Sequence, residues 1–280
     1  TGHIIKKVVF ESLPQFYVTA NLYVPKKHSS QLPAVLLCCG HTKKGKSYSI
    51  YRKTAIDLVE NGFIVLVFDP IGQGERIEYW DSGKGDTVRW GCAHHDYDGL
   101  RFYLLGENIA RYFIWDGIRA IDFLSSLSEV DKEKIGVTGH SGGAIQTAYL
   151  MMVDERVKVA LPFSCLYTTS QYIYMCTGKR VDAEQNLYRS IEYGIGSEDF
   201  FFCFSPKPVI IGVHAYDYHP IEGSYITFQR AKMAYRLYHQ EKNIRLIVSP
   251  TEHDHDSYAP EMRRACVEWF SRHLKRERIK

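Results

Sequence analysis

Gly139-His140-Ser141-Gly142-Gly143 follows the mostly apolar run 134–138 and precedes a segment with the pattern of a helix. In a strand-to-helix turn of the Gly-x-Ser-x-Gly type, the outer glycines permit the close backbone packing that lifts the serine clear of the sheet. The next residue begins the helix, where a free backbone N–H can stabilise an oxyanion. The stretch predicts that Ser141 is a nucleophile and Gly142 an oxyanion donor, although a flexible Ser-Gly-Gly turn has the same letters.

A second stretch competes with it: Gly40-His41-Thr42-Lys43-Lys44-Gly45-Lys46-Ser47 satisfies the phosphate-binding pattern G-x-x-x-x-G-K-[ST]. It stands between a predicted buried strand, 33–39, and a predicted helix, 48–61, and the next strand ends in Asp69, as a magnesium-binding strand would. This alternative predicts a P-loop nucleotide-binding protein. A serine hydrolase would instead use the backbone N–H of His41 or Thr42 as its second oxyanion donor, with the three lysines of the loop solvated.

The downstream sequence favours the hydrolase, because it supplies an acid and then a histidine, each after a strand. Asp217 follows the apolar, β-branched strand 208–213. His253 and His255 both follow the last predicted strand, 243–248, and one of them would be the general base. The order serine, aspartate and histidine is not required in a nucleotide-binding protein. We therefore interpret the phosphate-binding pattern as a coincidence of loop composition.

Periodicity along the chain predicts the architecture. Alternation at 4–10 and 16–24 indicates an opening antiparallel hairpin, and from residue 33 strands and helices alternate. This is the pattern of an α/β fold with a mostly parallel, doubly wound sheet and crossover helices. Two segments, 72–105 and 164–207, interrupt it, and we expect them to line or cover the site as insertions in a single domain over 1–280.

Composition excludes several classes of partner. A net charge of +3 gives no basis for nucleic-acid binding, and no apolar run approaches the roughly 18 residues of a membrane helix. The seven cysteines are an odd number, and Cys38 and Cys39 fall in a predicted buried strand, so we expect free thiols, a reducing compartment and a cytoplasmic location. A homo-oligomer stays open.

Other polar residues receive structural interpretations. The sequence His94-His95-Asp96-x-Asp98 resembles a set of metal ligands, but adjacent histidines point in different directions, so we predict a polar pocket loop and no metal. Asp69 is expected to hydrogen-bond the loop 72–74, and Glu75 and Arg76 are expected to form a local ion pair.

Four further stretches carry a family resemblance that covers nearly the whole chain: Asp69-Pro70-Ile71-Gly72-Gln73-Gly74-Glu75-Arg76, Trp115-Asp116-Gly117-Ile118-Arg119-Ala120-Ile121-Asp122, Val130-Asp131 and Asp217-Tyr218-His219-Pro220-Ile221-Glu222-Gly223. With the serine turn, they resemble the acetylxylan esterase and cephalosporin deacetylase-like branch of the α/β-hydrolases. Asp182-Ala183-Glu184-Gln185-Asn186 is also similar to this family. The resemblance implies a serine esterase without metal or organic cofactor, acting on acyl esters such as those of plant polysaccharides, with 164–207 inserted near the active site.

The same resemblance implies that Asp217 is the acid but does not decide between the two histidines. Relatives show one histidine shortly before Gly-Tyr or Ser-Tyr and the final helix. Counting from the strand end favours His253, and counting back from 258–263 favours His255, which we choose as the base with His253 as the alternative.

Together these residues predict ester hydrolysis through a Ser-His-Asp triad and an acyl-enzyme. The expected substrate is a small-molecule or carbohydrate ester with a small acyl group such as acetyl. A peptidase or amidase of the same fold is the alternative, because the same triad and oxyanion donors serve both leaving groups.

Overall fold

The computed structural model describes residues 2–28, 30–164, 182–190, 192–217, 219–250, 255 and 258–275. Its strands are β1 (His3–Leu13), β2 (Phe16–Pro25), β3 (Leu32–Cys38), β4 (Ile64–Phe68), β5 (Trp80–Asp81), β6 (Gly85–Asp86), β7 (Val130–His140), β8 (Val157–Phe163), β9 (Val209–His214) and β10 (Ile244–Ser249). Its helices are α1 (Ser49–Glu60), α2 (Cys92–Leu104), α3 (Ala110–Ser126), α4 (Gly142–Val153), α5 (Ser197–Phe204), α6 (Ile221–Leu237) and α7 (Pro260–Leu274).

An eight-stranded sheet with the order β1-β2-β4-β3-β7-β8-β9-β10 forms the centre of the described chain. The pairs β1–β2 and β2–β4 are antiparallel, and the pairs from β4 through β3 to β10 are parallel. This mixed, mostly parallel sheet confirms the predicted α/β class. The carboxyl ends of the parallel strands meet at one edge, where sites form in open α/β sheets.

Helices cover both faces of the sheet. Helices α3, α4, α5 and α6 pack on one face, and α1 and α7 pack on the other. A strand covered on both sides buries every residue, which explains why β4 is a continuous apolar run and not an alternating one. Helix α4 begins at Gly142, directly after the serine turn as the sequence predicts, and its start fixes the residues after Ser141.

The segment 72–105 contains regular secondary structure that the sequence analysis did not predict. It holds the short β5–β6 hairpin and the 13-residue helix α2, which carries His94 and His95. The prediction of a polar loop at these histidines is therefore wrong. Helix α2 buries His94, His95 and Gly99 where a typical amphipathic helix buries aliphatic side chains, so its hydrophobic period is invisible.

The second predicted insertion, 164–207, is described at 164, 182–190 and 192–207, and the rest of it lies outside the described residues. Gly99 of α2 packs directly on Ala183, and any side chain at residue 99 would collide there. The two insertions therefore contact each other beside the sheet. Among the described helices, none is long and apolar enough to cross a membrane.

Candidate functional site

The turn at Ser141 has the strained geometry that the sequence predicts. Ser141 has a φ of 58° and a ψ of −125°, between the end of β7 and the start of α4. A side chain at Gly139 would collide with the backbone of Gly143, and one at Gly143 would collide with the backbone of Cys38. A non-glycine residue at positive φ is uncommon and is held here by packing from both sides.

Ser141, His255 and Asp217 form a continuous chain of polar contacts. The Oγ of Ser141 lies 2.7 Å from Nε2 of His255. On the other side of the ring, Nδ1 lies 2.8 Å and 3.0 Å from the two carboxylate oxygens of Asp217. Asp217 follows β9 and His255 follows β10, so neighbouring parallel strands bring the two together. The alternative base, His253, lies outside the described residues.

The charges around this chain favour an ionised carboxylate. Burial raises the pKa of Asp217, but the hydrogen bond and charge of His255 outweigh burial and lower it below the usual aspartate value. The ring of His140 lies 5.4 Å from that of His255, and burial together with the neighbouring imidazoles of His255 and His214 lowers the pKa of His140 well below 6.5. Burial also lowers the pKa of His219 to about 3. His140 and His219 are therefore neutral near pH 7.

The loop after β3 lies against Ser141. A Cβ added at Gly40 would lie 2.9 Å from Cβ of Ser141, so this backbone approaches the serine closely. Gln73 holds the loop, because its Nε2 donates to the carbonyl oxygens of Gly40 at 2.8 Å and Thr42 at 3.2 Å.

Three backbone N–H groups are available beside the serine. Within the described residues, the N–H groups of His41, Thr42 and Gly142 donate to no protein acceptor. Gly142 is the first residue of α4, where the helix itself provides no acceptor. The predicted oxyanion donors therefore lie on the two segments that flank Ser141, and the choice between His41 and Thr42 stays open.

The side chain of His41 belongs to a buried polar cluster. Its Nε2 lies 2.7 Å from Oε1 of Glu184 and 3.2 Å from Nδ1 of His95. The other oxygen of Glu184 lies 3.0 Å from Nδ1 of His95, and Nε2 of His95 lies 2.8 Å from the carbonyl oxygen of Ile71. We call His41, His95 and Glu184 the histidine–glutamate cluster.

A second buried cluster corrects two predictions. The ammonium of Lys46 contacts the carboxylates of Asp69 and Glu75 and is only 4% exposed, so Lys46 is not a solvated loop charge. Glu75 thus pairs with Lys46, whereas Arg76 donates to Asp116 at 2.7 Å, so the predicted Glu75–Arg76 ion pair is wrong. Side chains that are adjacent in sequence point to different partners here.

Asp69 makes structural contacts, but its hydrogen-bond donors lie outside the predicted loop 72–74. Its oxygens accept hydrogen bonds from the hydroxyl of Thr19 at 2.7 Å, the backbone N–H of Lys46 at 2.8 Å and that of Glu75 at 3.2 Å. In a P-loop protein, Lys46 would contact phosphate and Asp69 would contact magnesium. Here the two bind each other, and residues 45–47 form a separate 3₁₀ turn before α1.

Among the residues that the structure describes, three groups of side chains bring potential metal-donor atoms within 4.8 Å of one another: His41 with His95 and Glu184, His41 with Cys92 and Asp182, and Asp217 with His219 and His255. Hydrogen-bond-length contacts account for the proximity of the first group and of the Asp217–His255 pair. We assign none of these residues as a metal ligand, and the absence of a metal site stays a prediction.

Sequence reasoning missed that Gln73, His95 and Glu184 contact the loop at His41. Gln73 and Glu184 stand in stretches that resemble the family, and that resemblance is the signal that could have selected them. Nothing in the spacing shows that His95, 54 residues after His41, returns to it.

The sheet order and the strand–serine–helix turn define an α/β-hydrolase fold. Residues 4–191 match the family described as acetyl xylan esterase (AXE1), and the chain belongs to this family. The resemblance seen in the sequence is thereby confirmed.

Similar proteins agree with this assignment. The chain is 29% identical over 161 residues to the "Putative hydrolase YtaP" of Bacillus subtilis (strain 168), covering 54% of this chain and 48% of that protein. The chain spans about half or less of the curated relatives it matches, with 48% and 42% of their lengths aligned.

Solved structures show the same fold. The structure of Methylesterase BT1017 matches with a TM-score of 0.71 and 20% identity, covering 99% of this chain and 56% of that one. A cold-adapted esterase from an Arctic intertidal metagenomic library matches with a TM-score of 0.65 and 18% identity, covering 98% of this chain and 95% of that one.

Proposed function

We propose that this chain is a serine esterase in which Ser141 is the nucleophile, His255 the general base and Asp217 the orienting acid. The contact of 2.7 Å between Ser141 and His255, continued by that of 2.8 Å to Asp217, is the observation that carries the proposal. A hydroxyl, an imidazole and a carboxylate in this order are the arrangement that activates a serine.

In the proposed reaction, Nε2 of His255 removes the proton from Ser141 as the serine oxygen attacks the ester carbonyl carbon. The resulting tetrahedral oxyanion collapses, the alcohol leaves with the proton that His255 returns, and an acyl-serine remains. Water, deprotonated by the same imidazole, then attacks the acyl-serine and releases the acid. Asp217 holds the ring tautomer and stabilises the imidazolium in both steps.

The backbone N–H of Gly142 and that of His41 or Thr42 are the proposed oxyanion donors. They support the proposal because they flank Ser141 and donate to no acceptor within the described residues. Each such donor contributes about 3 kcal/mol to transition-state stabilisation in other serine hydrolases.

The proposed substrate is a carboxylic ester with a small acyl group, such as acetyl on a carbohydrate. The acetyl xylan esterase family supports this class of substrate. We propose that the segments 72–105 and 164–207 of a single domain line the site, since Glu184 of the second meets His95 of the first beside His41. All cysteines in the described residues are free thiols, which supports a reducing, cytoplasmic location.

The first experiment is covalent labelling with a fluorophosphonate, read by intact mass, with p-nitrophenyl acetate hydrolysis in parallel. We expect one label on the wild type and neither label nor turnover for Ser141→Ala. Ser126→Ala, which removes an exposed hydroxyl in the last turn of α3, is the matched control and should behave as the wild type. An unlabelled, inactive wild type would contradict the serine mechanism.

A substrate panel then separates the esterase from an amidase of the same fold. Acetylated xylo-oligosaccharides, p-nitrophenyl acetate and p-nitrophenyl butyrate are compared with the p-nitroanilides of the same acids. The proposal expects turnover of acetyl esters with far slower cleavage of anilides. Faster anilide cleavage would favour the peptidase or amidase.

A further inference from the structure

The histidine–glutamate cluster unites three separate parts of the chain. His41 follows β3, His95 lies on α2, and Glu184 comes from the second insertion. Glu184 is only 3% exposed, and both of its carboxylate oxygens face imidazole nitrogens, at 2.7 Å and 3.0 Å. A buried carboxylate is costly unless it is paired, so these contacts are a strong constraint on where the three residues can lie.

The hydrogen bonds define where the protons lie in this cluster. The carbonyl oxygen of Ile71 can only accept, so Nε2 of His95 carries a proton and donates to it. Nδ1 of His95 lies 3.2 Å from Nε2 of His41 and 3.0 Å from Oε2 of Glu184, so the three side chains contact one another directly. Burial lowers the pKa of His41, but the attraction of the Glu184 carboxylate outweighs burial and raises it well above 6.5.

Of the described residues, four titratable or charged groups face the ring of His41. Glu184 and Asp182 approach it from the second insertion, the latter with its carboxylate 3.8 Å from Nδ1. His95 and Cys92 approach it from α2. The attraction of the Glu184 carboxylate outweighs the effect of burial, so the cluster favours the imidazolium form of His41.

The ring of His41 in turn lies against the start of α4. A Cβ added at Gly142 would lie 2.8 Å from Cε1 of His41, so the ring fills the space beside this glycine. His41 therefore connects the loop after β3 with the first residue of α4. These are the two segments that carry the proposed oxyanion donors.

Glu184 is itself fixed by its neighbours. The N–H of Ala183 donates to Asp96 at 3.1 Å, and the hydroxyl of Tyr149 donates to the carbonyl oxygen of Glu184 at 3.2 Å. The hydroxyl of Tyr103 donates to the carbonyl oxygen of Asn186 at 3.1 Å. The segment 182–186 is thus held on α2 and α4, and it can fix His41 in turn.

We infer that Glu184 is a positioning residue for ester hydrolysis: through its contact with His41 it holds the loop after β3 and the imidazolium of His41 against the proposed oxyanion donors. The inference rests on the proposed function and extends it, because it makes the second insertion part of the oxyanion side of the site. The expected consequence is a loss of transition-state stabilisation, and not of substrate affinity, when Glu184 is neutralised.

The test compares Glu184→Gln, His41→Gln and the double variant with the wild type in p-nitrophenyl acetate hydrolysis. We expect Glu184→Gln to lower kcat by about 10- to 100-fold with KM within about threefold, because a misplacement near 1 Å has an effect of this order. If Glu184 acts through His41, the double variant should be no slower than His41→Gln. Additive losses, or a kcat of Glu184→Gln within about twofold of the wild type, would overturn the inference.

Glu198→Gln is the matched control, because Glu198 is also a buried glutamate of the second insertion and pairs with Arg230 away from His41. It should retain the wild-type kcat. Circular dichroism checks the fold of each variant. Should Glu184→Gln fail to fold, His41→Gln decides alone: an unchanged kcat would overturn the inference.

A titration of ¹³C-labelled histidine by NMR, with His41→Gln to assign the resonance, provides a readout independent of turnover. His41 should remain protonated to a higher pH in the wild type than in Glu184→Gln, and the alkaline fall of kcat should move to lower pH in that variant. If the wild type shows no esterase activity, the proposed function and the positioning role fail together, even where the titration supports the contact. If the wild type is active but His41 titrates alike in both proteins, the inference alone fails.

Discussion

On one side of Ser141, His255 and Asp217 come from the loops that follow the adjacent strands β10 and β9. On the other side, His41 is held by His95 and Glu184, which come from a helix and a turn within the two insertions. The first side is built by strand order, and the second is built by buried polar contacts between distant segments. The order of the strands therefore lets the sequence predict that Asp217 and a downstream histidine meet near Ser141. The contacts of His41 with His95 and Glu184 appear only when the chain is folded.

The difference has a physical origin. Parallel strands deliver their carboxyl ends to one edge of the sheet, so residues just after them are brought together whatever lies between them. No comparable rule predicts the members of a buried ion pair or histidine cluster, because each member can lie on any helix, strand or loop that packs at the same place. Its stability depends on pairing every buried charge, which ties the loop after β3 to both insertions.

Replacing His255, the proposed general base, is expected to lower kcat the most, and the comparison with His253 tests which histidine is the base. His255→Gln should lower kcat by about 10⁴-fold or more, because the serine loses the base that accepts its proton. His253→Gln serves as the comparator and should remain close to the wild type. Single-turnover hydrolysis of p-nitrophenyl acetate measures both, and the reverse order of losses would assign the base to His253.

The next effect tests the acid on the same side. Asp217→Asn should lower kcat by about 10³- to 10⁴-fold, since an amide no longer fixes the ring tautomer or stabilises the imidazolium. Asp57→Asn is a suitable control, because Asp57 lies on α1 and accepts a 2.7 Å hydrogen bond from Arg263 of α7. Steady-state kinetics over pH 5–9 measures the loss, and a variant with more than a tenth of the wild-type kcat would contradict this role.

The sequence predicts the features that depend on strand order, but it does not predict those that depend on buried polar contacts. The fold class and the geometry at Ser141 follow from the glycine spacing and from apolar runs of strand length, and both agree with the structure. Helix α2 was missed because it buries histidines, and the ion pairs were misassigned because Lys46, Glu75 and Arg76 choose partners across the fold. The spacing of apolar residues along a sequence shows which positions bury apolar side chains, but it does not show where charged side chains are buried.

Lys46→Met tests how much the contacts of Lys46 with Asp69 and Glu75 contribute to the free energy of unfolding. The variant leaves the fully buried carboxylate of Asp69 without its cation, and we expect the free energy of unfolding to fall by about 3 kcal/mol or more. Lys43→Met removes the exposed Lys43–Asp86 ion pair and should cost less than about 1 kcal/mol. Urea unfolding followed by circular dichroism compares the two, and equal losses would show that Lys46 behaves as a surface charge.

The last prediction concerns the contact of Gln73 with the loop after β3, and it expects a modest loss of kcat. Gln73→Met keeps the size of the side chain but removes the donor shared by the carbonyl oxygens of Gly40 and Thr42. Unsatisfied buried carbonyl groups cost about 1–3 kcal/mol, so the loop should shift and kcat should fall by about tenfold with KM nearly unchanged. Gln31→Met removes an exposed amide donor to the carbonyl oxygen of Ser128 and serves as the control. Gln73 contacts the backbone of the loop, and Glu184 contacts the ring of His41. Additive losses of kcat in the variant that combines Gln73→Met with Glu184→Gln would show that the two contacts act independently. A loss in Gln73→Met alone would assign the position of the loop to its backbone contacts.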